Sequence, residues 1–193
     1  LAKKRKINTI TDYFNYKTSK KVLKIFGKAD VIYGANVFNH VDDIHNFLLG
    51  AKQLLKKNGS LILEVPDLNS LIEKVGFDTI YHEHRHYFSE TSINKILKKN
   101  KFFINDIQKI NYMSGSLRIF ASNKSTKNIK LRKITLKEFK KFKKKVNYII
   151  EKIKKFVKYN SPVVGIGAAT KGNTLLNCCN FTDKDIKFIF NKS

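Results

Sequence analysis

The chain has 193 residues, of which 42% are hydrophobic and 12% aromatic, and this composition excludes an intrinsically disordered protein. Its formal net charge of +24 would suit an anionic partner, but the lysines are spread along the whole sequence, so we expect solvated surface residues rather than a nucleic-acid interface. No apolar run approaches the roughly 20 residues of a membrane-spanning helix, so no membrane partner is expected. The two cysteines, Cys178 and Cys179, are adjacent and unsuited to a disulfide framework, which favours a reducing, cytoplasmic location.

A strand, a helix and a second strand are predicted early in the chain. Residues 29–36 form an apolar run with the length and β-branched content of a buried parallel strand. Asp42 and Asp43 provide an N-cap for a helix that should end at Gly59, with the glycine in the left-handed conformation. Residues 60–65 form the next strand. A strand–helix–strand unit of this kind builds a parallel sheet with helices on its faces.

A helix and an antiparallel strand pair are predicted next. Ser89 is a suitable N-cap for a helix with apolar residues at helical spacing. The strands 102–110 and 116–122 follow, separated by a turn that contains Ser114 and Gly115. Because the two strands are so close in sequence, we expect them to pair antiparallel at the end of the sheet.

The last third of the chain contains a long helix and a second α/β pattern. Residues 123–133 read as a polar linker, and residues 135–159 as an amphipathic helix. Such a basic helix can bind a membrane surface or a calmodulin-like partner, but packing against neighbouring units is the interpretation we favour. A strand at 163–166, a glycine-rich turn at 165–174 continued by a helix from Leu175, and a strand at 186–190 then begin a second nucleotide-binding-like unit.

The glycine-rich turn leaves two interpretations open. Backbone N–H groups at a helix N-terminus bind phosphate well, and Lys171 adds positive charge. A tight connection without any ligand explains Gly165 and Gly167 equally well.

The segment 77–89 contains three of the five histidines, together with acidic residues and two tyrosines. Open α/β sheets bind their ligands in loops beyond the carboxyl ends of their strands, so this segment is a candidate acid/base site. Zinc is the rival interpretation, since His82, Glu83, His84 and His86 are suitable ligands by type. Their spacing of one and two residues argues against a metal site, because neighbouring side chains of an extended loop diverge. A purely structural loop, in which these groups satisfy buried hydrogen bonds, is the other alternative.

Several motifs in a fixed order carry a family resemblance. Tyr81-His82-Glu83-His84 followed by 87–89 is similar to an IYHEHxxYFS signature. Other blocks agree in order and spacing: 29–43 ending in NVxxH, 55–66, the GGSLR-like 114–118, and the GxGAxxKGNT-like 165–174. Together they resemble the deoxysugar C-methyltransferases, which use S-adenosylmethionine to methylate a carbon of a nucleotide-linked keto-sugar.

The resemblance implies roles for five residues. Methylation of a carbon next to a ketone requires removal of an α-proton and stabilisation of the enolate. His84 would be the general base, with Glu83 as its partner or as a contact to a substrate hydroxyl. Tyr81 would donate a hydrogen bond toward the enolate or the sugar. Asn36 would lie near the S-adenosylmethionine cofactor or the sugar carbonyl, with His40 beside it as a second cofactor contact.

The resemblance also implies a substrate site in the second unit. Lys171, Asn173 and Thr174 would contact the nucleotide-sugar, with Gly165 and Gly167 shaping the turn. The oligomeric state is left open.

The family pattern implies a division of the chain and a fragment of a larger enzyme. Residues 1–122 would be the second half of a Rossmann-like class I methyltransferase sheet, 123–160 a linker and helix, and 161–193 the start of a truncated Rossmann-like domain that binds the nucleotide-sugar. Both ends look like cuts through a longer protein. The family's cysteine-rich zinc-binding region and its glycine-rich S-adenosylmethionine loop are absent from this sequence, and zinc is expected only there.

One consequence of these missing regions is that the chain alone should lack activity. A further departure is Met113-Ser114, which stands where the family has His-Gly, so no catalytic residue is assigned at that point. The rival functions are a basic nucleic-acid-binding module and a non-catalytic remnant that only binds a nucleotide-sugar.

Overall fold

Two separate sheets organise the chain. The structure is a computed structural model and describes residues 3–112, 114–167 and 169–190, so that Met113 and Ala168 lie outside the described residues. Its helices and strands are α1 (Tyr16–Phe26), β1 (Ala29–Ala35), α2 (Ile44–Leu54), β2 (Leu55–Pro66), α3 (Leu68–Lys74), α4 (Glu90–Lys99), β3 (Phe103–Ile110), β4 (Ser116–Ser122), α5 (Leu136–Tyr159), β5 (Val163–Ile166), α6 (Thr170–Cys178) and β6 (Ile186–Phe190).

The larger sheet has the strand order β1-β2-β4-β3. β1 and β2 are parallel, whereas β4 runs antiparallel to both of its neighbours, β2 and β3. The α/β class and the antiparallel pairing of the last two strands are therefore confirmed. The insertion of β4 between β2 and β3 was not predicted.

The predicted end of α2 at Gly59 is wrong. The helix ends at Leu54 and β2 begins at Leu55, so that Gly59 lies inside the strand. Ala29 pairs with Leu55 and Val31 with Ser60, which leaves residues 56–59 as a bulge opposite β1. A Cβ atom on Gly59 would stand 3.0 Å from the carbonyl oxygen of Asp30. The glycine therefore permits a close approach of two strands instead of ending a helix.

The core lies on one face of the larger sheet, beneath α2 and α4. Its fully buried residues include Leu61, Leu63, Val65, Leu117 and Ile119 from the strands, Leu48 and Ala51 from α2, and Ile93 and Leu97 from α4. Phe38 and Phe88 join this cluster from two loops, and their rings stack at 5.4 Å between centroids. The core thus anchors both the loop after β1 and the loop before α4.

The opposite face carries a partly exposed ion pair. Arg118 on β4 contacts Glu64 on β2 across the strand register, with Nε and Oε1 2.5 Å apart. Burial raises the pKa of the Glu64 carboxyl, but hydrogen bonds from Arg118 and Tyr33, together with the positive charge of Arg118, outweigh burial and leave this pKa below its ordinary value. The arginine of the 114–118 block therefore joins strands together.

Capping residues explain where the predicted helices begin. Ser89 and Thr135 each form a capping box, with Ser92 and Glu138 respectively. α1 was not predicted: its buried residues are the polar Thr18 and Ser19, and most of its apolar residues lie between Val22 and Phe26, which is less than two turns of periodic pattern. α3 was not predicted either, because its seven residues are too few for a periodic pattern.

The second unit is a parallel β5–α6–β6 motif, as predicted. However, α6 begins at Thr170, so the glycine-rich turn is shorter than expected and Lys171, Asn173 and Thr174 lie on the helix. The Thr174 hydroxyl donates to the carbonyl of Thr170 at 3.0 Å, an i to i−4 bond that only a helix allows. This unit contacts the first one where α6 meets the turn Phe77–Thr79.

Across the described ranges, none of the helices combines the length and the apolar character required to cross a bilayer.

Candidate active site

The histidine-rich loop between α3 and α4 is bound to the loop between β1 and α2. His40 Nδ1 donates to the carbonyl oxygen of Glu83 at 2.6 Å, and His86 Nε2 donates to the carbonyl oxygen of Val41 at 2.8 Å. Because a carbonyl oxygen can only accept, each bond places a proton on the ring nitrogen that makes it. The two loops therefore form one cross-linked surface beyond the carboxyl ends of β1 and β2.

His84 lies at the centre of this surface with both ring nitrogens engaged. Its Nδ1 donates to the carbonyl oxygen of Thr79 at 3.1 Å, and its Nε2 accepts from the hydroxyl of Tyr81 at 3.1 Å. The Tyr81 and His84 rings lie 4.3 Å apart between centroids. The basic lone pair of His84 is therefore on Nε2 and faces the Tyr81 hydroxyl.

The surroundings of His84 favour its neutral form. Burial is the largest cause and lowers the pKa of the imidazole below its ordinary value. The bond to Thr79 opposes this shift, and the charge of Glu83 opposes it further. The positive charges of His40 and Lys171 add to the lowering. Burial likewise raises the pKa of the Tyr81 hydroxyl, which therefore stays protonated as a donor.

A pH titration of His84 by NMR should give a midpoint below the ordinary value of 6.5. In the neutral ring, the nitrogen shifts should identify Nδ1 as the protonated atom. Because the folded state resists protonation, His84 leaves the stability unaffected above pH 6.5. It lowers the stability progressively as the pH falls from 6.5 toward the depressed folded value. In urea the same ring should titrate near 6.5, and a folded midpoint at or above that value would contradict the assigned environment.

Asn36 shares a small cavity with His84. It follows β1 directly, adopts a left-handed backbone with φ of 51°, and donates its N–H to the carbonyl oxygen of Glu64 at 2.9 Å. The cavity is also lined by Asp67 and Thr79. The structure thus brings together the predicted Asn36 and His84, which are far apart in sequence.

Three further residues of this cavity were missed by sequence reasoning. Asp67 is 1% exposed and caps α3, accepting from the N–H of Asn69 and the hydroxyl of Ser70. Thr79 contributes the carbonyl that orients His84, and Ser114 lies on the cavity wall. The position of Asp67 directly after a strand was a usable signal, whereas a backbone carbonyl leaves none in the sequence.

Gly115 is required by the geometry of this wall. Its φ is 116°, and a Cβ atom would lie 2.6 Å from the Cβ of Ser70. Any side chain here would strain the backbone and displace α3 from the cavity.

The other predicted catalytic residue, Glu83, has an exposed side chain. The Nδ1 atom of His84 is bonded to Thr79 and not to this carboxylate. Of its two suggested roles, contact with a substrate hydroxyl is the one that this position leaves free, and it stays a prediction.

His40 stands between the His84 cavity and a larger one. Its ring centroid is 5.0 Å from that of His84. It also lines a cavity of about 330 Å³ together with Phe14, Asp42 and Asp43.

The predicted substrate residues of the second unit lie in different surroundings. Lys171 lines a cavity that faces the turn Phe77–Thr79, and its charge acts on His84. Asn173 is exposed on α6. Gly167 has a φ of 87° and donates its N–H to Phe190, so that this N–H is not free for a phosphate. At Gly165 a Cβ atom would meet the side chain of Ile189 at 3.2 Å, which indicates a packing role.

Comparison with protein families decides the class of the chain. The family model described as "Methyltransferase domain" matches residues 3–104, which is more than half of the chain. The chain belongs to this methyltransferase family. A second model, described as "C-methyltransferase C-terminal domain", matches residues 112–193.

Among curated proteins, the methyltransferase chain is similar to the C-methyltransferase NovU of Streptomyces niveus. The identity is 29% over 205 aligned positions, which cover 97% of this chain and 49% of NovU. The chain therefore spans about half the length of this relative.

Similar solved structures include two methyltransferases. One is the magnesium protoporphyrin IX methyltransferase of Synechocystis PCC 6803 with bound SAH, at a TM-score of 0.39 and 20% identity, covering 52% of this chain and 47% of that one. The other is an S-adenosylmethionine-dependent methyltransferase of Anabaena variabilis, at a TM-score of 0.44 and 16% identity, covering 61% of this chain and 58% of that one.

The larger cavity of the methyltransferase domain suits part of a cofactor such as S-adenosylmethionine. Phe14 presents an aromatic ring, packed edge-on against Phe47 with centroids 5.0 Å apart. Asp42 pairs with Arg85 at 2.7 Å and Asp43 caps α2, so each carboxylate retains an acceptor oxygen. Carboxylates beside an aromatic ring match the hydroxyl and amino groups and the flat base of that cofactor.

Proposed function

We propose that this chain forms the base-bearing part of a C-methyltransferase that transfers a methyl group from S-adenosylmethionine to a carbon of a nucleotide-linked keto-sugar. The observation that carries the proposal is the neutral His84, whose Nε2 lone pair is held by Tyr81 at the rim of a parallel sheet. The match of residues 112–193 to a C-methyltransferase domain and the similarity to NovU support carbon as the methylated atom.

The proposed chemistry begins with proton removal at the carbon next to the ketone. His84 Nε2 takes the α-proton, the electron pair of the broken C–H bond forms a carbon–carbon double bond, and the carbonyl oxygen becomes an enolate. The Tyr81 hydroxyl moves from Nε2 to this oxygen and donates to the developing charge. A raised pKa suits Tyr81 to this role, because it keeps its proton at neutral pH.

Asn36 and His40 are the proposed contacts to the cofactor, with the cavity beside His40 accepting part of it. When bound, S-adenosylmethionine supplies an electrophilic methyl group on its sulfonium. The bond from His40 to the Glu83 backbone holds the histidine-rich loop in place. This leaves the exposed Glu83 carboxylate available for a sugar hydroxyl.

The nucleotide part of the substrate is assigned to the second unit. Lys171, Asn173 and Thr174 lie in the first two turns of α6, where the positive end of the helix dipole and the lysine charge favour an anion. Because α6 contacts the turn Phe77–Thr79, a ligand bound here lies next to the loop that carries His84.

Proton exchange in heavy water tests the proposal in the complete protein. Incubation with nucleotide-linked keto-sugars, without a methyl donor, should replace the α-proton with deuterium, and addition of S-adenosylmethionine should give a carbon-methylated product. A sugar with a hydroxyl in place of the ketone cannot enolise and serves as the control. If neither exchange nor methylation occurs with any sugar of a broad panel, the proposed function is wrong.

A further inference from the structure

A second cavity lies beside the His84 site, between the two units of the chain. It measures about 450 Å³ and is bordered by the end of α3, the turn Phe77–Thr79, and the helices α5 and α6. Its polar lining consists of Lys74, Asp78, Ser114 and Lys171, and Ile149 and Ile153 of α5 form part of an apolar wall.

The cavity is positively charged. Lys74 comes from the last turn of α3 and Lys171 from the first turn of α6, so the two ammonium groups approach from different units. Within the described part of the chain, neither ammonium lies within salt-bridge distance of a carboxylate. Asp78 adds one negative charge to the lining. Two lysines against one carboxylate leave a net attraction for an anion.

The cavity adjoins the His84 site, and one residue belongs to the walls of both. Ser114 lines both cavities. The Lys74 ammonium lies 3.8 Å from the point where a Cβ on Gly115 would stand, directly beside this shared wall. The charge of Lys171 already reaches His84, where it helps to lower the pKa of the imidazole. A ligand with its reactive carbon at His84 can therefore extend its anionic group past Ser114 toward the two lysines.

We propose that Lys74 and Lys171 together bind the phosphate groups of the ligand, which makes this cavity an anion subsite and Lys74 a specificity-determining residue. The inference deepens the proposed function and rests on it for the identity of the ligand as a nucleotide-sugar. The diphosphate is the chemical group recognised.

Binding of the anion should also change the base. A bound phosphate offsets the positive charge of Lys171, so His84 should take up a proton more readily when the subsite is filled. By linkage, protonation of His84 and binding of the anion strengthen each other equally. The base would thus gain strength when the substrate is in place.

The test uses inorganic pyrophosphate, titrated into the full chain and followed by calorimetry and by the NMR titration of His84. Lys74→Met and Lys171→Met should each weaken binding about tenfold, since each removes a charged hydrogen-bond donor. Asp78→Asn should tighten binding, because it removes the opposing charge. Saturating pyrophosphate should raise the His84 midpoint in the original sequence, and Lys171→Met should abolish that rise.

Lys144→Met is the matched control, because it removes one charge from the exposed face of α5. It should leave pyrophosphate affinity unchanged. An equal loss in Lys144→Met and Lys74→Met would mean unspecific attraction to a basic protein and would overturn the subsite.

The outcomes separate this inference from the proposed function. Pyrophosphate binding that depends on Lys74 and Lys171, without any enolisation of keto-sugars, would keep the subsite and reject the enzymatic proposal. If the complete protein methylates the sugar and Lys74→Met leaves the KM for the nucleotide-sugar unchanged, the enzymatic proposal is kept and the subsite is rejected.

Discussion

Replacement of His84 with alanine in the complete protein should lower kcat for methyl transfer by about 10²- to 10⁴-fold, the usual contribution of a general base. The imidazole Nε2 carries the basic lone pair, which faces the Tyr81 hydroxyl, and alanine offers no group to accept the α-proton of the proposed substrate. Affinity for the nucleotide-sugar should change little, because the proposed anion contacts are lysines of other elements. Steady-state kinetics and calorimetry measure the two quantities separately.

His82→Ala is the matched control for this prediction. His82 lies two residues away in the same loop and is exposed. Its replacement should leave kcat near that of the original protein. Turnover retained in His84→Ala would reject His84 as the base, and an equal loss in both variants would indicate a general disturbance of the loop.

Phe38→Ala should reduce the free energy of unfolding by about 3–5 kcal/mol, the range found for large aromatic residues in a packed core. The Phe38 ring is completely buried and contacts the rings of Phe47 and Phe88, with centroids 5.3 and 5.4 Å away. Alanine would leave a cavity at the point where both site loops join the core. Urea unfolding monitored by circular dichroism measures the loss.

Phe156→Ala provides the comparison for Phe38→Ala. Its ring is 63% exposed on α5, so the same change of side chain should alter the stability by less than about 1 kcal/mol. If Phe38→Ala also lowers the free energy of unfolding by less than about 1 kcal/mol, the Phe38 ring is not packed as described.

Much of the fold was predictable because it depends on local patterns. The strand 116–122 was predicted at its observed limits, and Ser89 and Thr135 mark where α4 and α5 begin. Capping residues and apolar periodicity act within a few residues, so they are readable without knowledge of the fold. The error at Gly59 has the opposite origin. Gly59 is needed because the backbone of β1, some 30 residues earlier in the chain, approaches it closely. A local sequence pattern does not indicate a contact between residues so far apart.

The candidate site was likewise predictable only in part. The cluster of proton-transfer groups at 77–89 was visible in the sequence, whereas the choice of His84 as the base came from the family resemblance and stays a prediction. The orientation of His84 by the Thr79 carbonyl was not visible, because every residue carries a carbonyl oxygen.

The amino-acid sequence by itself determined the α/β class, the positions of most strands and of the helices with capping residues or a long apolar pattern, and the segment that carries the titratable groups. Only the tertiary structure decided that β4 enters the sheet between β2 and β3, that His40 meets a backbone oxygen 43 residues away, and that Lys171 faces the histidine-rich loop. The physical reason is that side-chain periodicity and capping are properties of neighbouring residues. Strand order and loop contacts depend instead on which distant surfaces bury the most apolar area together.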